Sequence, residues 1–222
     1  MEEVKIVRSK RKTLSLQVTK DSVVVVRAPL RTPDTFIRSF VSKHADWIEK
    51  KKEEMAARHV LKRRFASGET FLYLGNTYEL ARERHFAQGR SKLKIFDDVF
   101  FLDPKVKNPK KVFEEWYKKQ AHETIIPRVR ELGAAYKLSF NTLRITSATT
   151  RWGSCSGKRN LSFSWRLMMA PREVIDYVIL HELTHLTHMN HSQRFWNALE
   201  QICPQYRAHK KWLSDTAAST RW

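Results

Sequence analysis

The pattern of apolar and polar positions changes period several times along the chain, and each change predicts an element. In the first 30 residues β-formers alternate or cluster at positions 14–18 and 23–26, parted by the turn-like Lys20-Asp21-Ser22, which predicts a hairpin or meander. Thr32-Pro33-Asp34 then supplies an N-cap, a proline at the first helical position and an acid in the first turn. The apolar positions Phe36, Ile37, Phe40, Val41, Trp47 and Ile48 follow, so one long amphipathic helix is expected as far as Arg58. Short strands resume at residues 71–74 and 77–81 around a Gly75-Asn76 turn, and at 93–96 and 99–102 around Asp97-Asp98. Asn108-Pro109 opens a second long helix through Phe113, Trp116, Tyr117 and Ala121 to about Gly133, with Pro127 expected to kink or break it. Strand character returns at 143–147 and 161–165, bracketing a loop at 151–156.

Beyond Pro171 the period becomes that of a buried helix, with Val174, Ile175, Val178, Ile179 and Leu186 on one stripe. On that helix lies His181-Glu182-Leu183-Thr184-His185. Two histidines four apart project from one helical face and can offer ring nitrogens to one ion, while Glu182 can hold an activated water and take its proton. Two more histidines, His188 and His191, follow at once. On an unbroken helix His188 would stand roughly 10 Å along the axis from His181, too far for zinc bonds of about 2.0–2.1 Å, so a third ligand must come from chain that has turned back. Asn190 can adopt the left-handed conformation that ends a helix, and Ser192 can cap a new one over residues 193–202. His191 stands between them, which makes it the third candidate and leaves His188 beside the site or on the surface. Three protein ligands and an open position suit a catalytic zinc, whereas a structural zinc is closed by four.

Length and composition place these motifs in a folded protein, and the order of the expected strands and helices makes it α+β. At 222 residues with 41% hydrophobic content the chain can bury a sizeable core. Its expected organisation is a strand-rich basic region with one long helix over residues 1–105, then a helical block with a small sheet over 106–222. The linker signal between them, Asp103-Pro104 to Asn108-Pro109, is modest enough to allow one continuous fold. No stretch approaches the roughly 18 apolar residues that cross a bilayer, and the N-terminus lacks the apolar core of a secretory signal, so no membrane association and a cytoplasmic location are expected. Cys155 and Cys203 are then expected as reduced thiols. The net charge of +19 would attract nucleotides, nucleic acid or other polyanions, although the basic runs are interleaved with acids and apolar residues.

Four separated blocks carry a family resemblance: Thr150-Arg151-Trp152-Gly153-Ser154-Cys155-Ser156; Pro171 with Val174-Ile175-Asp176-Tyr177-Val178; His181 to Leu186; and Asn190-His191-Ser192 with Phe195-Trp196. Together they closely resemble the YgjP-like metallopeptidases, a branch of the zincin-type hydrolases. The N-terminal strands, the Gly75-Asn76 hairpin and Glu115-Trp116-Tyr117 extend the likeness over nearly the whole chain. The resemblance implies a zincin-like C-terminal block, a zinc ion on His181, His185 and His191, and Glu182 as general base. More distantly the chain is similar to the metalloprotease domains of DNA–protein crosslink repair. The spacing from His185 to His191 equals that of metzincins, with His188 where those carry a glycine, and Ser164 stands where the YgjP-like pattern usually has asparagine.

Other residues have a chemical and a packing reading side by side. Arg151 can bind a carboxylate or phosphate or stabilise an oxyanion, and Gly153 permits a close backbone approach to the metal helix. Trp152 and Cys155 can equally pack beneath that helix, and a nucleophilic Cys155 would need a nearby base and exposure. Tyr206, with Arg207 and His209, is a candidate transition-state donor or an ordinary core and surface residue. The leading reading is zinc-dependent hydrolysis of a peptide or protein substrate; the alternatives are metal-dependent nucleotide pyrophosphatase or phosphohydrolase activity, and a non-enzymatic zinc module that binds nucleic acid.

Overall fold

The computed structural model describes residues 4–19, 23–60, 63–83, 91–216 and 220, with side chains left out over 54–60. The chain forms two compact units that divide between Arg63 and Arg64. The boundary expected near residue 105 therefore falls inside the second unit, because the strands before it share a core with the helix after it.

In the first unit, β1 (Val4–Ser9), β2 (Ser15–Val18) and β3 (Val24–Pro29) form a sheet in the order β1-β3-β2. The central strand β3 buries Val24, Val25, Val26 and Ala28, as the valine run requires. β2 pairs antiparallel to β3, but β1 pairs parallel to it, so the sheet is neither a simple hairpin nor a meander. The Lys20-Asp21-Ser22 turn lies outside the described residues. The expected long helix is two helices, α1 (Asp34–Lys43) and α2 (Ala45–Val60). They part at His44, which leaves helical geometry at φ −112° and ψ 20°. Its Nδ1–H donates to the Phe40 carbonyl at 2.8 Å, and its main-chain N–H to Val41 O at 3.0 Å, so the terminal carbonyls are satisfied locally. Pro33, rather than Thr32, occupies the capping position of α1. Ile37 of α1 packs on Val26 and Ala28, and Ile48 of α2 on Val18 and Val24.

The second unit begins with a four-stranded sheet, β4 (Thr70–Tyr73), β5 (Asn76–Ala81), β6 (Leu93–Phe96) and β7 (Val99–Leu102), in the order β4-β5-β7-β6. Asp97 and Asp98 turn the β6–β7 hairpin with φ of 48° and 60°, the doubly left-handed geometry that matches strand twist. The β4–β5 turn sits one residue earlier than expected, on Leu74 and Gly75 (φ 50° and 84°). Tertiary bonds set this register: Leu74 N–H donates to Met168 O at 2.8 Å, and Gly75 N–H to Met169 O at 3.3 Å. A Cβ on Gly75 would lie 2.7 Å from Pro171 Cγ, so the turn can seat there only as glycine.

Helix α3 (Pro109–Ala135) is capped by Asn108, whose side chain accepts from Lys111 N–H at 3.1 Å. It buries Phe113, Tyr117, Ala121, Ile125, Val129 and Gly133. A strict four-residue spacing advances about 40° per step on a 3.6-residue helix, so the buried stripe winds around α3 and serves different partners at its two ends. Near the start, Phe113 stacks on Phe71 at 4.3 Å between ring centroids, and Tyr117 stacks on Trp165 at 5.6 Å. Near the end, Arg128 reaches Asp176 with two bonds of 2.9 and 2.7 Å. α3 runs unbroken past Pro127, because Ile125, Arg128 and Val129 anchor both sides of the missing N–H. Phe113 has no solvent exposure, and truncating it to alanine is expected to cost about 3–5 kcal/mol, read from the denaturant midpoint.

A third sheet orders β8 (Thr142–Thr146), β10 (Asn160–Ser164) and β9 (Gly153–Cys155) as β8-β10-β9. Inside the segment expected as a loop, β9 pairs antiparallel to β10 and forms an edge. β10 stops at Ser164, and Trp165–Met169 forms a buried 3₁₀ turn where the strand was expected to reach Trp165. Three helices follow: α4 (Arg172–Thr184), α5 (Gln193–Ile202) and α6 (Tyr206–Thr216), the last of which the sequence pattern did not single out. No described helix is long and apolar enough to cross a membrane.

Candidate metal centre

α4 is buried on nearly all sides by Val174, Ile175, Tyr177, Val178, Ile179, Leu180 and Leu183, so the histidines at its C-terminal end are carried on a fixed support. The helix closes by tightening its last turn, with Leu186 N–H bonded to Leu183 O and His188 N–H to Thr184 O, each at 3.0 Å. Asn190 takes no part in that closure through a left-handed conformation: its φ is not positive. The chain nevertheless turns back, and Ser192 takes the capping position of α5 without a side-chain bond to it.

That return brings His181, His185 and His191 together, with one ligand atom from each lying within 4.8 Å of the others. The Nε2 atoms of His181 and His191 are 3.0 Å apart. Two nitrogens bound tetrahedrally to zinc at about 2.05 Å would be separated by roughly 3.3 Å, so the pair stands close to a ligating geometry. His185 Nδ1 lies 3.0 Å from the His188 carbonyl, which can only accept, so that nitrogen carries the proton and Nε2 is left as the ligand atom. His188 thus contributes its main chain rather than its imidazole. Phe195 packs against all three rings at 4.5–4.9 Å, and Trp196 stacks on His191 at 5.4 Å.

Electrostatics hold His181 and His191 below the ordinary histidine range. Burial, then His185, His191 and Lys210, lower His181 from 6.5 to about 3; burial, His185 and Lys210 also lower His191. Glu182, 6% exposed, moves the opposite way: burial raises it from 4.5 to about 7, against an opposing Cys155 N–H bond and the Arg151 charge. The approach of β9 to this carboxyl depends on Gly153, where a Cβ would lie 2.7 Å from both Glu182 Cγ and Oε1. The close backbone approach expected of Gly153 is therefore present, and its partner is the glutamate.

The sequence model of the YgjP-like, metallopeptidase domain matches residues 12–216. The chain belongs to this family. No match was found among curated proteins or among solved structures. As a YgjP-like metallopeptidase-domain protein it is a metal-dependent hydrolase, and the donor set fits a divalent ion: three imidazoles, one of them oriented by a main-chain bond, converge on one point.

The remaining candidates of this family member fall on both sides of the centre. Arg151 is exposed near Glu182, close enough to ease its ionisation. Tyr206 is buried and stacks on Trp196 at 5.4 Å, with the Arg207 guanidinium over its own ring at 4.8 Å. His209 lies 6.0 Å from the Tyr177 ring. Burial and Glu182 raise the Cys155 thiol, which opposes a nucleophilic thiolate; both cysteines are free. Ser164 Oγ donates to Ala148 O at 2.8 Å and accepts from Arg166 N–H at 3.4 Å, so the serine has its own structural duty at the departure from the family pattern. Sequence reading did not single out Trp196 as a prop for His191, nor Lys210, whose Nζ lies 4.8 Å from the Trp196 ring centroid. The amphipathic spacing of α5 could have revealed Trp196; nothing local marks Lys210.

Proposed function

We propose that the protein is a zinc-dependent peptidase in which Glu182 is the general base. The observation that carries this reading is a buried carboxyl, raised to about 7, on the helix that carries His181 and beside the point where His181, His185 and His191 converge. Three nitrogen ligands with a position left open suit zinc. A zinc ion held there supplies Lewis acidity that polarises a carbonyl and acidifies a nearby water. Glu182 accepts the proton of the attacking water and delivers it to the leaving amine nitrogen. The Cys155 N–H bond fixes the carboxylate, and Arg151 favours its ionised form.

The edge strand supports a peptide substrate. Trp152 O accepts from Ser164 N–H at 2.8 Å and Ser156 N–H donates to Asn160 O at 3.0 Å, so the alternate residues Gly153 and Cys155 direct their main-chain groups away from β10. Cys155 N–H serves Glu182, and the other outward groups are placed to pair with an extended chain beside the base. Metal analysis followed by an unbiased peptide screen against the Glu182→Gln protein tests the reading; cleavage no faster than that variant's would remove it.

The same screen carries a nucleotide panel for a second reading, phosphoanhydride hydrolysis, which the cations Arg151 and Lys210 near the centre favour. Phosphate or pyrophosphate release that disappears in Glu182→Gln would establish it. Gly153→Ala is expected to lower activity up to about 10²-fold with metal content unchanged, because the new methyl displaces the base and leaves the histidines alone. Parallel activity and metal assays check it.

A further inference from the structure

Next to the histidines, a cleft of about 340 Å³ is lined by Gln193, Trp196, Tyr206, Arg207 and Lys210. We propose that Lys210 forms an oxyanion subsite of the metal centre, holding a carboxylate or phosphate of the substrate close to the reacting bond; the assignment rests on the hydrolase reading of that centre.

Placement is the first support. Lys210 Nζ lies 4.8 Å from the centroid of Trp196, and Trp196 stacks on His191 at 5.4 Å with planes 24° apart. These two contacts in series keep the ammonium within roughly 10 Å of a candidate metal ligand, about three residues of extended chain. A substrate group that reaches it therefore lies within about three residues of the bond being broken.

Charge is the second. Three cations lie close together on α6, and two of them are committed: Arg207 pairs with Glu200 at 2.5 Å and Lys211 with Asp215 at 2.8 Å. Among the described residues Lys210 has no carboxylate partner. Its charge faces the cleft wall and the histidines, where an arriving anion would relieve its repulsion of the bound cation. The Trp196 ring is already engaged by His191, Tyr206 and Lys210, so the cleft offers an ammonium rather than a stacking face for a nucleobase. Lysine presents a compact, mobile charge that suits either oxyanion.

A peptide carboxylate and a polyphosphate share this chemistry, and binding measurements separate them. The zinc-loaded Glu182→Gln protein, which lacks the base, is titrated calorimetrically with a short glutamate-containing peptide, its glutamine isostere, C-terminally amidated forms of both, and a nonhydrolysable nucleoside triphosphate. Adding Lys210→Gln is expected to weaken at least one anionic probe by about 5–10-fold while the amidated glutamine peptide is unchanged, and the probe affected identifies the oxyanion. Adding Arg207→Gln instead is expected to change each affinity by less than about twofold, since that cation is already paired. Equal loss for anionic and neutral probes, or no loss with Lys210→Gln, overturns the subsite. If the unmodified protein cleaves no peptide while Lys210-dependent binding persists, the peptidase reading fails and the subsite stands. Cleavage with no dependence on Lys210 gives the reverse.

Discussion

Glu182→Gln is expected to lower turnover by about 10²–10⁴-fold while zinc stays bound, since a positioned base contributes on that order and the amide keeps the shape without accepting a proton. Turnover of the unmodified protein is expected to rise with pH as the carboxyl ionises. With no metal bound that midpoint stands at about 7, and a neighbouring cation moves it down. The stability of the metal-free protein gives an independent check. Glu182 titrates at about 7 when folded and 4.5 when free, so the folded state holds the extra proton between those values. Its contribution is full below 4.5 and is lost as pH rises through 7, on the order of 3 kcal/mol at 1.36 kcal/mol per pKa unit. Glu182→Gln removes that loss, so the metal-free variant is expected to melt higher than the metal-free parent at pH 8 while being far less active. A variant that is both inactive and less stable would point to a structural role for the carboxylate instead.

The parts of this centre that local chemistry encodes were legible in the sequence, and the parts set by distant packing were not. His181, Glu182 and His185 follow from helical spacing, and His191 follows from the short reach of a metal bond together with a chain that turns back. The Asp97-Asp98 turn and the Asn108 cap are likewise local. By contrast, the split at His44 carries no proline or glycine: it depends on a histidine ring bonding the carbonyl four residues earlier, which competes with helix continuation. The β4–β5 turn moved onto Leu74 because main-chain bonds to Met168 and Met169 outweigh the cost of a left-handed leucine. The parallel pairing of β1 and the three-residue edge β9 are long-range, and Lys210 acquires a meaning only once α6 is folded against Trp196. What the sequence conveyed as a loop with an arginine and a glycine became, in three dimensions, the strand that holds the Glu182 carboxyl.

His185→Ala carries the largest expected effect on metal binding. His185 is 8% exposed, and its ring is held by the His188 carbonyl and by Phe195, so it is the most rigidly placed of the three nitrogens. Its removal is expected to weaken zinc binding by more than the roughly 10–100-fold that loss of an outer-shell partner costs, with activity falling in parallel. His188→Ala is expected to leave affinity within a few-fold, because a carbonyl survives the substitution; a large loss there would mean that the imidazole itself is used. The pH dependence runs against ordinary histidine behaviour. His181 titrates at 6.5 in the unfolded chain and at about 3 in the metal-free fold, so its contribution to stability is lost as pH falls from 6.5 towards 3. His191, also lowered in the fold, adds a slope of the same sign, and Glu182 opposes both between 4.5 and 6.5, so the metal-free parent is expected to show only a shallow pH dependence of its melting temperature there. In metal-free Glu182→Gln the slope of His181 and His191 is unopposed by Glu182, and the melting temperature is expected to climb more steeply from pH 4.5 to 6.5. Thermal melts of the two chelated proteins across that range decide it, and a flat profile in the variant would show that His181 is not held neutral by its surroundings.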